Sequence, residues 1–394
     1  MKWILMLLIM LALLGCKKPS PKMVAMFKGG KPALDQEVVV VPLDVRASHI
    51  LRFESSWNGT QVPIVMDTGG MTMLDRSLAD SLGLDLKDVG QEDVCVARVD
   101  DISIGGAHVR GLKAAVMEFR FMFGRDGTGM QGMIGSDWLR HFQSTFDYSA
   151  GVLELRAPGK MRAQGEDEHL MKMGLVMPYL PVVDVMVNGN IKMKGMLDTG
   201  LHYGFVFPYA MFEKMPEDVQ ATAVHADGWF TKWPFPGPRR NVMARLPEIR
   251  LGDIVFRDVV VIFADLPSFT GEDEILVGKH VLDDYRTTFD YAHKQVLMKD
   301  APGQPQAIEQ SFGFNFTLED GEMKICGLWQ GGPAQQAGVR IGDALLSVNG
   351  ILMHEIDAVE LSRWMVDPAV TQMDIEVNTA DGQRTVRLQK AALL

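Results

Sequence analysis

"VPIVMDTGG" at residues 62–70 returns as "MKGMLDTGL" at residues 193–201, and the reading of that pair decides the fold. In each stretch a short apolar run, Ile64-Val65-Met66 or Gly195-Met196-Leu197, delivers an aspartate that is followed by Thr-Gly. Such a run has the pattern of a buried strand, and the glycine permits a tight turn that projects the carboxylate before it. A single Asp-Thr-Gly is three common residues and reads as a solvated turn. Two in matching frames imply a duplicated unit.

Outward from the motifs the duplication holds. "ISIGGAHVRGLKAAVMEF" at 102–119 answers to "IRLGDIVFRDVVVIFADL" at 249–266, and "GMIGSDWLRHFQSTFDYSAGVLEL" at 132–155 to "ILVGKHVLDDYRTTFDYAHKQVLM" at 275–298. The last two blocks align without gaps on the shared Phe-Asp-Tyr at 146–148 and 289–291. Self-similarity in one order is the mark of an internal repeat. Within each copy, runs such as 38–43, 182–187 and 259–263 are rich in β-branched residues, and Val187-Asn188-Gly189-Asn190 is a hairpin signal. Leu74, Leu78, Ala79 and Leu82 recur near helical spacing, so a short helix is expected after the first motif.

In both copies an apolar pair and a glycine follow downstream: Met133-Ile134-Gly135 and Leu276-Val277-Gly278. This order resembles the aspartic peptidases of the retropepsin and pepsin type, over nearly the whole of both copies. The resemblance implies an all-β, bilobal aspartic-protease fold in which the apolar-Gly strand (Ile134 and Gly135, Val277 and Gly278) passes behind each Asp-Thr-Gly loop. It makes Asp67 and Asp198 the expected catalytic dyad. Thr68 and Thr199 would then bond across the lobe interface, and Gly69 and Gly200 would give the turns. The chemistry requires the loops to meet, because two carboxylates at hydrogen-bonding range cannot both ionise cheaply and share one proton. Asp147 and Asp290, between aromatics at a strand turn, read as structural.

The sequence departs from the family pattern just after the motif, where a small residue such as Ser, Thr or Ala is usual and Gly70 and Leu201 stand instead. That departure keeps open a second reading, a catalytically inactive peptide-binding scaffold of the same fold. A flap over the cleft is expected from residues 225–238, where Trp229, Phe230, Trp233 and Phe235 are the candidates for apolar subsites or for packing on their own lobe. Its shorter first-copy counterpart falls near residues 89–98. No metal or cofactor is expected: the sequence has 3 cysteines, lacks clustered histidines and has no His-Glu-x-x-His pattern.

Beyond the repeat, "SFGFNFTLEDGEMKICGLWQGGPAQQAGVRIGDALLSVNG" at 311–350 closely resembles bacterial PDZ domains. That resemblance implies a loop of Ser311, Phe312, Gly313 and Phe314 receiving a peptide carboxylate, a following strand that pairs with the peptide, and a groove helix near residues 357–365. At the other end, an apolar run at 3–14 leads to Leu13-Leu14-Gly15-Cys16, which resembles the lipobox of bacterial lipoproteins and implies lipidation of Cys16. Lys17 and Lys18 after the cysteine imply sorting to the periplasmic face of the outer membrane in a Gram-negative cell.

The expected organisation is a signal peptide at 1–15, a tether at 16–36, a retropepsin-like lobe at 37–158, a linker at 159–173, a second such lobe at 174–300 and a PDZ domain at 307–394. At 47% hydrophobic and 23% charged the chain is globular rather than disordered. A net charge of −11, with no basic stripe, excludes nucleic acid as an expected partner. The partners expected are protein or peptide substrates, C-terminal peptide ligands and a lipid anchor in the cell envelope.

Overall fold

The computed structural model describes residues 27–43, 51–91, 94–118, 130–159, 165–176, 179–228, 230, 239–266, 274–301, 310–319, 321–356 and 358–394. The chain is mostly β, in two lobes built to one plan and a third module that follows them.

Each lobe begins with a hairpin whose second strand leads into Asp-Thr-Gly. In the first, Leu51–Trp57 pairs with Thr60–Asp67 from Leu51↔Met66 to Trp57↔Thr60. Alternate residues of Leu51–Trp57 are buried, and Asn58 and Gly59 between the strands have φ of 50° and 88°. That is the two-residue turn whose twist matches antiparallel strands. In the second, Leu180–Val187 pairs with Ile191–Leu197 around Asn188 and Gly189. The motif strand then takes a parallel neighbour, Gly132–Gly135 in lobe 1 (Asp67↔Gly135) and Glu274–Val277 in lobe 2 (Leu197↔Val277). A long hairpin completes each sheet: Val94–Ile104 with Ala107–Met117, and Asn241–Leu251 with Ile254–Ala264.

The lobes are joined beneath by a six-stranded sheet in the order Glu168–Lys172, Gln295–Asp300, Tyr285–Asp290, Gln143–Asp147, Val152–Arg156, Val38–Pro42. At its centre the two copies meet antiparallel, from Gln143↔Asp290 to Asp147↔Arg286. Phe146 and Phe289 touch there edge to face, 5.8 Å between ring centroids. An antiparallel pair of equivalent strands relates its halves by a twofold, so this register sets the motif loops opposite one another. One apolar core runs through both lobes.

Three stretches differ from the sequence reading. The expected linker 159–173 contains the strand Glu168–Lys172, whose buried Met171 joins the common core. Within the expected tether, Lys31–Leu34 is a strand on lobe 1, paired with residues Ala107 to Arg110. In both places backbone pairing at a sheet edge overrides a polar composition. The third concerns the C-terminal module, which has its own core around Phe312, Phe314, Phe316, Leu345 and Ile375. It is not hung on a linker alone, because the lobe 2 strand Val224–Gly228 pairs with its strand Glu322–Trp329 (Ala226↔Trp329, Gly228↔Gly327), so the sheet runs on from one into the other. The short helix Arg76–Ser81 follows the first motif, N-capped by Asp75, and the helix Ala358–Val366 lies in the module. Cys16 and residues 1–15 lie outside the described residues.

Candidate active site

The structure brings Asp67 and Asp198 together at the lobe interface, both buried and hydrogen-bonded to each other. Each loop folds back on its own carboxylate: Gly69 N donates to Asp67 Oδ1 at 2.7 Å and Gly200 N to Asp198 Oδ1 at 2.8 Å. The loops are then cross-linked. Thr68 N donates to Thr199 Oγ1 at 3.1 Å, Thr199 N to Thr68 Oγ1 at 3.0 Å, and Thr68 Oγ1 to Leu197 O at 2.8 Å. Both threonines are wholly buried, so water does not compete for these bonds.

The glycines show how close the approach is. A Cβ on Gly69 would stand 2.5 Å from Asp198 Cγ, and one on Gly200 2.7 Å from Asp67 Cγ. Each lobe's turn is therefore the seat of the other lobe's carboxyl group. Behind the loops, Ile134 and Val277 are fully buried, and the next residues hold the stretch after each motif by Ser136 N to Gly70 O (2.9 Å) and Lys279 N to Leu201 O (2.7 Å). A Cβ on Gly135 would meet Gly70 O at 2.4 Å and one on Gly278 would meet Tyr203 O at 2.2 Å, which is why the apolar-Gly strand ends on glycine.

Burial raises both carboxyls, and the negative charge of Asp67 raises Asp198 further, well above the ordinary carboxylate range. Two acids so placed hold one proton between them over a range in which isolated carboxylates are both ionised. One member is then a base while the other is an acid.

Around this centre lie groups that the motifs did not single out. Asp137 is wholly buried and accepts from Thr72 N at 2.7 Å and Thr72 Oγ1 at 2.6 Å, and burial pushes its carboxyl up to about 6. Ser136 Oγ donates to Thr68 O at 2.6 Å and shares a hydrogen bond of 2.9 Å with the Tyr291 hydroxyl. In lobe 2 the place of Ser136 is taken by Lys279, ion-paired with Asp283 at 2.5 Å. The signal for four of these residues was in the repeat: Ser136, Asp137 and Lys279 follow an apolar-Gly pair, and Tyr291 closes a Phe-Asp-Tyr.

The two departures from the expected pattern sit differently. A Cβ on Gly70 would meet the end of the flexible Met133 side chain at 2.7 Å and Asp67 Oδ2 at 3.0 Å, whereas Leu201 packs, as Tyr203 does, against the apolar cluster of Met196, Val206, Leu276, Phe230 and Trp329. Of the flap candidates, Trp229, Trp233 and Phe235 lie outside the described residues. Phe230 is buried against the C-terminal module rather than on its own lobe alone, its ring 4.4 Å from that of Trp329, with Asn315 Nδ2 donating to its carbonyl at 3.3 Å. In the module, Ser311 Oγ accepts from Gly313 N at 3.0 Å, Phe312 and Phe314 are buried, and Phe314–Glu319 pairs with Glu322–Trp329.

Residues 53–138 match the family model described as aspartyl protease. The matched stretch carries the first motif, the first apolar-Gly strand and Asp137, and the second motif lies beyond it. Among solved structures 447 chains match, one of them described as "Crystal structure of edgp", 12% identical over 69% of this chain and 96% of that one, with a TM-score of 0.39. No curated protein matches the chain.

Proposed function

We propose that this protein is an aspartic-type endopeptidase that hydrolyses peptide bonds with a water activated by Asp67 and Asp198. The observation that carries the reading is the pair of buried, mutually hydrogen-bonded carboxyls on loops cross-linked by Thr68 and Thr199. The ionised aspartate takes a proton from water as the oxygen bonds to the scissile carbonyl carbon, and the protonated one gives its proton to the carbonyl oxygen. The tetrahedral diol collapses when a diol hydroxyl returns a proton to the dyad and the amide nitrogen receives one. The C–N bond breaks and the dyad again holds one proton.

Both carboxyls are needed in each turnover, so Asp67→Asn and Asp198→Asn should each lower kcat/KM on a peptide library by about a thousand-fold or more while folding is kept. An amide keeps the shape of the carboxyl but cannot exchange the proton. The packing of Leu201 beside Asp198 favours a second reading, a peptide-binding scaffold without catalysis. A wild-type protein that binds peptides and cleaves none from acid to neutral pH would establish the scaffold. Loss of cleavage in only one Asn variant would mean that a single aspartate acts with another partner.

The C-terminal module is read as a PDZ-type peptide binder that selects or positions substrates. Support comes from the Ser311 to Phe314 loop, from the strand Phe314–Glu319, paired on one side among the described residues, and from the helix Ala358–Val366. Lipidation of Cys16 would place this assembly on the envelope membrane, at the periplasmic face of the outer membrane in a Gram-negative cell.

A further inference from the structure

The peptide unit between Thr68 and Gly69 is held at both ends. Its N–H, on Gly69, donates to Asp67 Oδ1 at 2.7 Å, and its carbonyl, on Thr68, accepts from Ser136 Oγ at 2.6 Å. A peptide unit is planar and trans, so its N–H and C=O point in opposite directions and turn together. The Ser136 hydroxyl therefore sets the direction in which the Gly69 N–H meets the carboxylate. Ser136 N also donates to Gly70 O at 2.9 Å, and Ser136 is wholly buried, so the motif turn is gripped from behind at two points where solvent does not compete.

Ser136 has one hydroxyl proton and gives it to Thr68 O, which leaves its oxygen to accept. The Tyr291 hydroxyl, 2.9 Å away, is thus the donor in the bond between them. Burial pushes the Tyr291 hydroxyl above its ordinary value, so it keeps that proton. Tyr291 belongs to lobe 2, where its ring is stacked on Phe289 at 6.3 Å. The series Tyr291, Ser136, Thr68 carries lobe 2 into the loop of Asp67, and hydrogen bonds in series strengthen one another.

Lobe 2 repeats the backbone and lacks this series. Lys279 stands where Ser136 does in the repeat, and its ammonium pairs with Asp283. Tyr148 is the counterpart of Tyr291 and is also buried, yet its hydroxyl has no hydrogen-bond partner among the described residues. Gly200 N still donates to Asp198 Oδ1, at 2.8 Å. One molecule thus holds two equivalent tyrosine hydroxyls, of which one is bonded toward an aspartate loop and the other is not.

We propose that Ser136 and Tyr291 are positioning residues for the peptidase reaction, fixing the peptide unit between Thr68 and Gly69 so that Asp67, and not Asp198, is oriented from the opposite lobe. Both act through the Gly69 N–H. The inference rests on reading Asp67 and Asp198 as the catalytic dyad.

The test uses the full chain and reads kcat and KM separately on a peptide library, together with the amide resonances of Gly69 and Gly200. Isotope labels on threonine carbonyls and glycine nitrogens isolate the Thr-Gly pairs, those two among them. Tyr291→Phe keeps the ring on Phe289 and should lower kcat about five-fold, and Ser136→Ala about thirty-fold, each with KM changed by about two-fold or less. Both should move the Gly69 resonance and leave that of Gly200 in place. Since the tyrosine acts through the serine, the combined variant should be no slower than Ser136→Ala. Tyr148→Phe removes a hydroxyl that bonds nothing and should match the wild type in kcat, KM and both resonances. Should Ser136→Ala fail to fold, the two Phe variants carry the comparison alone. A Tyr291→Phe protein with wild-type kcat and an unmoved Gly69 resonance overturns the inference, and so does a Tyr148→Phe protein that loses as much kcat as Tyr291→Phe. A wild-type protein that cleaves nothing overturns the peptidase reading, and the Gly69 resonance then still decides whether the serine and tyrosine set the loop.

Discussion

Lobe 1 and lobe 2 present their aspartates through the same hairpin, the same parallel back strand and the same reciprocal threonine bonds, yet they back them with different chemistry. Ser136 and Asp137 in one lobe correspond in the repeat to Lys279 and His280 in the other, and Gly70 corresponds to Leu201. Backbone geometry is the duplicated part, since each carboxyl must sit on the other lobe's glycine. The groups behind that geometry have diverged, which leaves the two acids equal in position and unequal in environment.

The largest effects should be the symmetric ones. Gly69→Ala and Gly200→Ala each drive a Cβ onto the opposite carboxyl group, at 2.5 and 2.7 Å from its Cγ. Both should lower kcat/KM by about a thousand-fold, because a displaced carboxyl loses its reaction geometry. Steady-state kinetics on both variants, with circular dichroism as the folding control, checks this. A large loss from one glycine only would break the equivalence of the lobes.

Asp137 tests the asymmetry. Its carboxyl is raised from the ordinary carboxylate range, near 4, up to about 6 by burial, so the folded state binds its proton more tightly than the unfolded chain. Stability from this group is present below the unfolded value and is lost as pH rises to about 6, a change on the order of 3 kcal/mol. Asp137→Asn keeps an oxygen for Thr72 and removes the titration. Urea unfolding at pH 4 and pH 6.5 should show the wild type losing stability over that interval relative to the variant. Equal pH slopes would refute it.

The smallest effect is at Leu201. Leu201→Ser withdraws a half-buried side chain from an apolar cluster and should cost roughly 1–2 kcal/mol in a denaturant titration. If cleavage rises in that variant, the leucine restrains the site. If cleavage is unchanged, it serves packing only.

Much of this was legible in the sequence because each feature repeats or is local. The hairpin at Asn188-Gly189 and the helix after the first motif follow from local signals, and the apolar-Gly strands and the pairing of the two Asp-Thr-Gly loops follow from motifs that occur in order in both copies. The bond between Tyr291 and Ser136 across the lobes was not legible, because it depends on the register between strands about 140 residues apart, and no local periodicity encodes register between distant strands. Nor was the strand at Glu168–Lys172, which is stabilised by the edge it joins rather than by its own alternation. Phe230 reads as a subsite aromatic only while the C-terminal module is taken to be separate. The pairing of Ala226 with Trp329 makes it an interior residue.

The strand pairing between lobe 2 and the C-terminal module also governs how the protein can be divided. Cutting the chain before the module would strip Val224–Gly228 of one of its two neighbours, leaving it paired only with Asn241–Leu251, and would uncover Phe230, whose ring lies against Trp329 of the module. An open strand edge beside apolar side chains recruits other chains. The two lobes expressed alone should therefore self-associate, with the module serving as the edge cover that keeps them monodisperse.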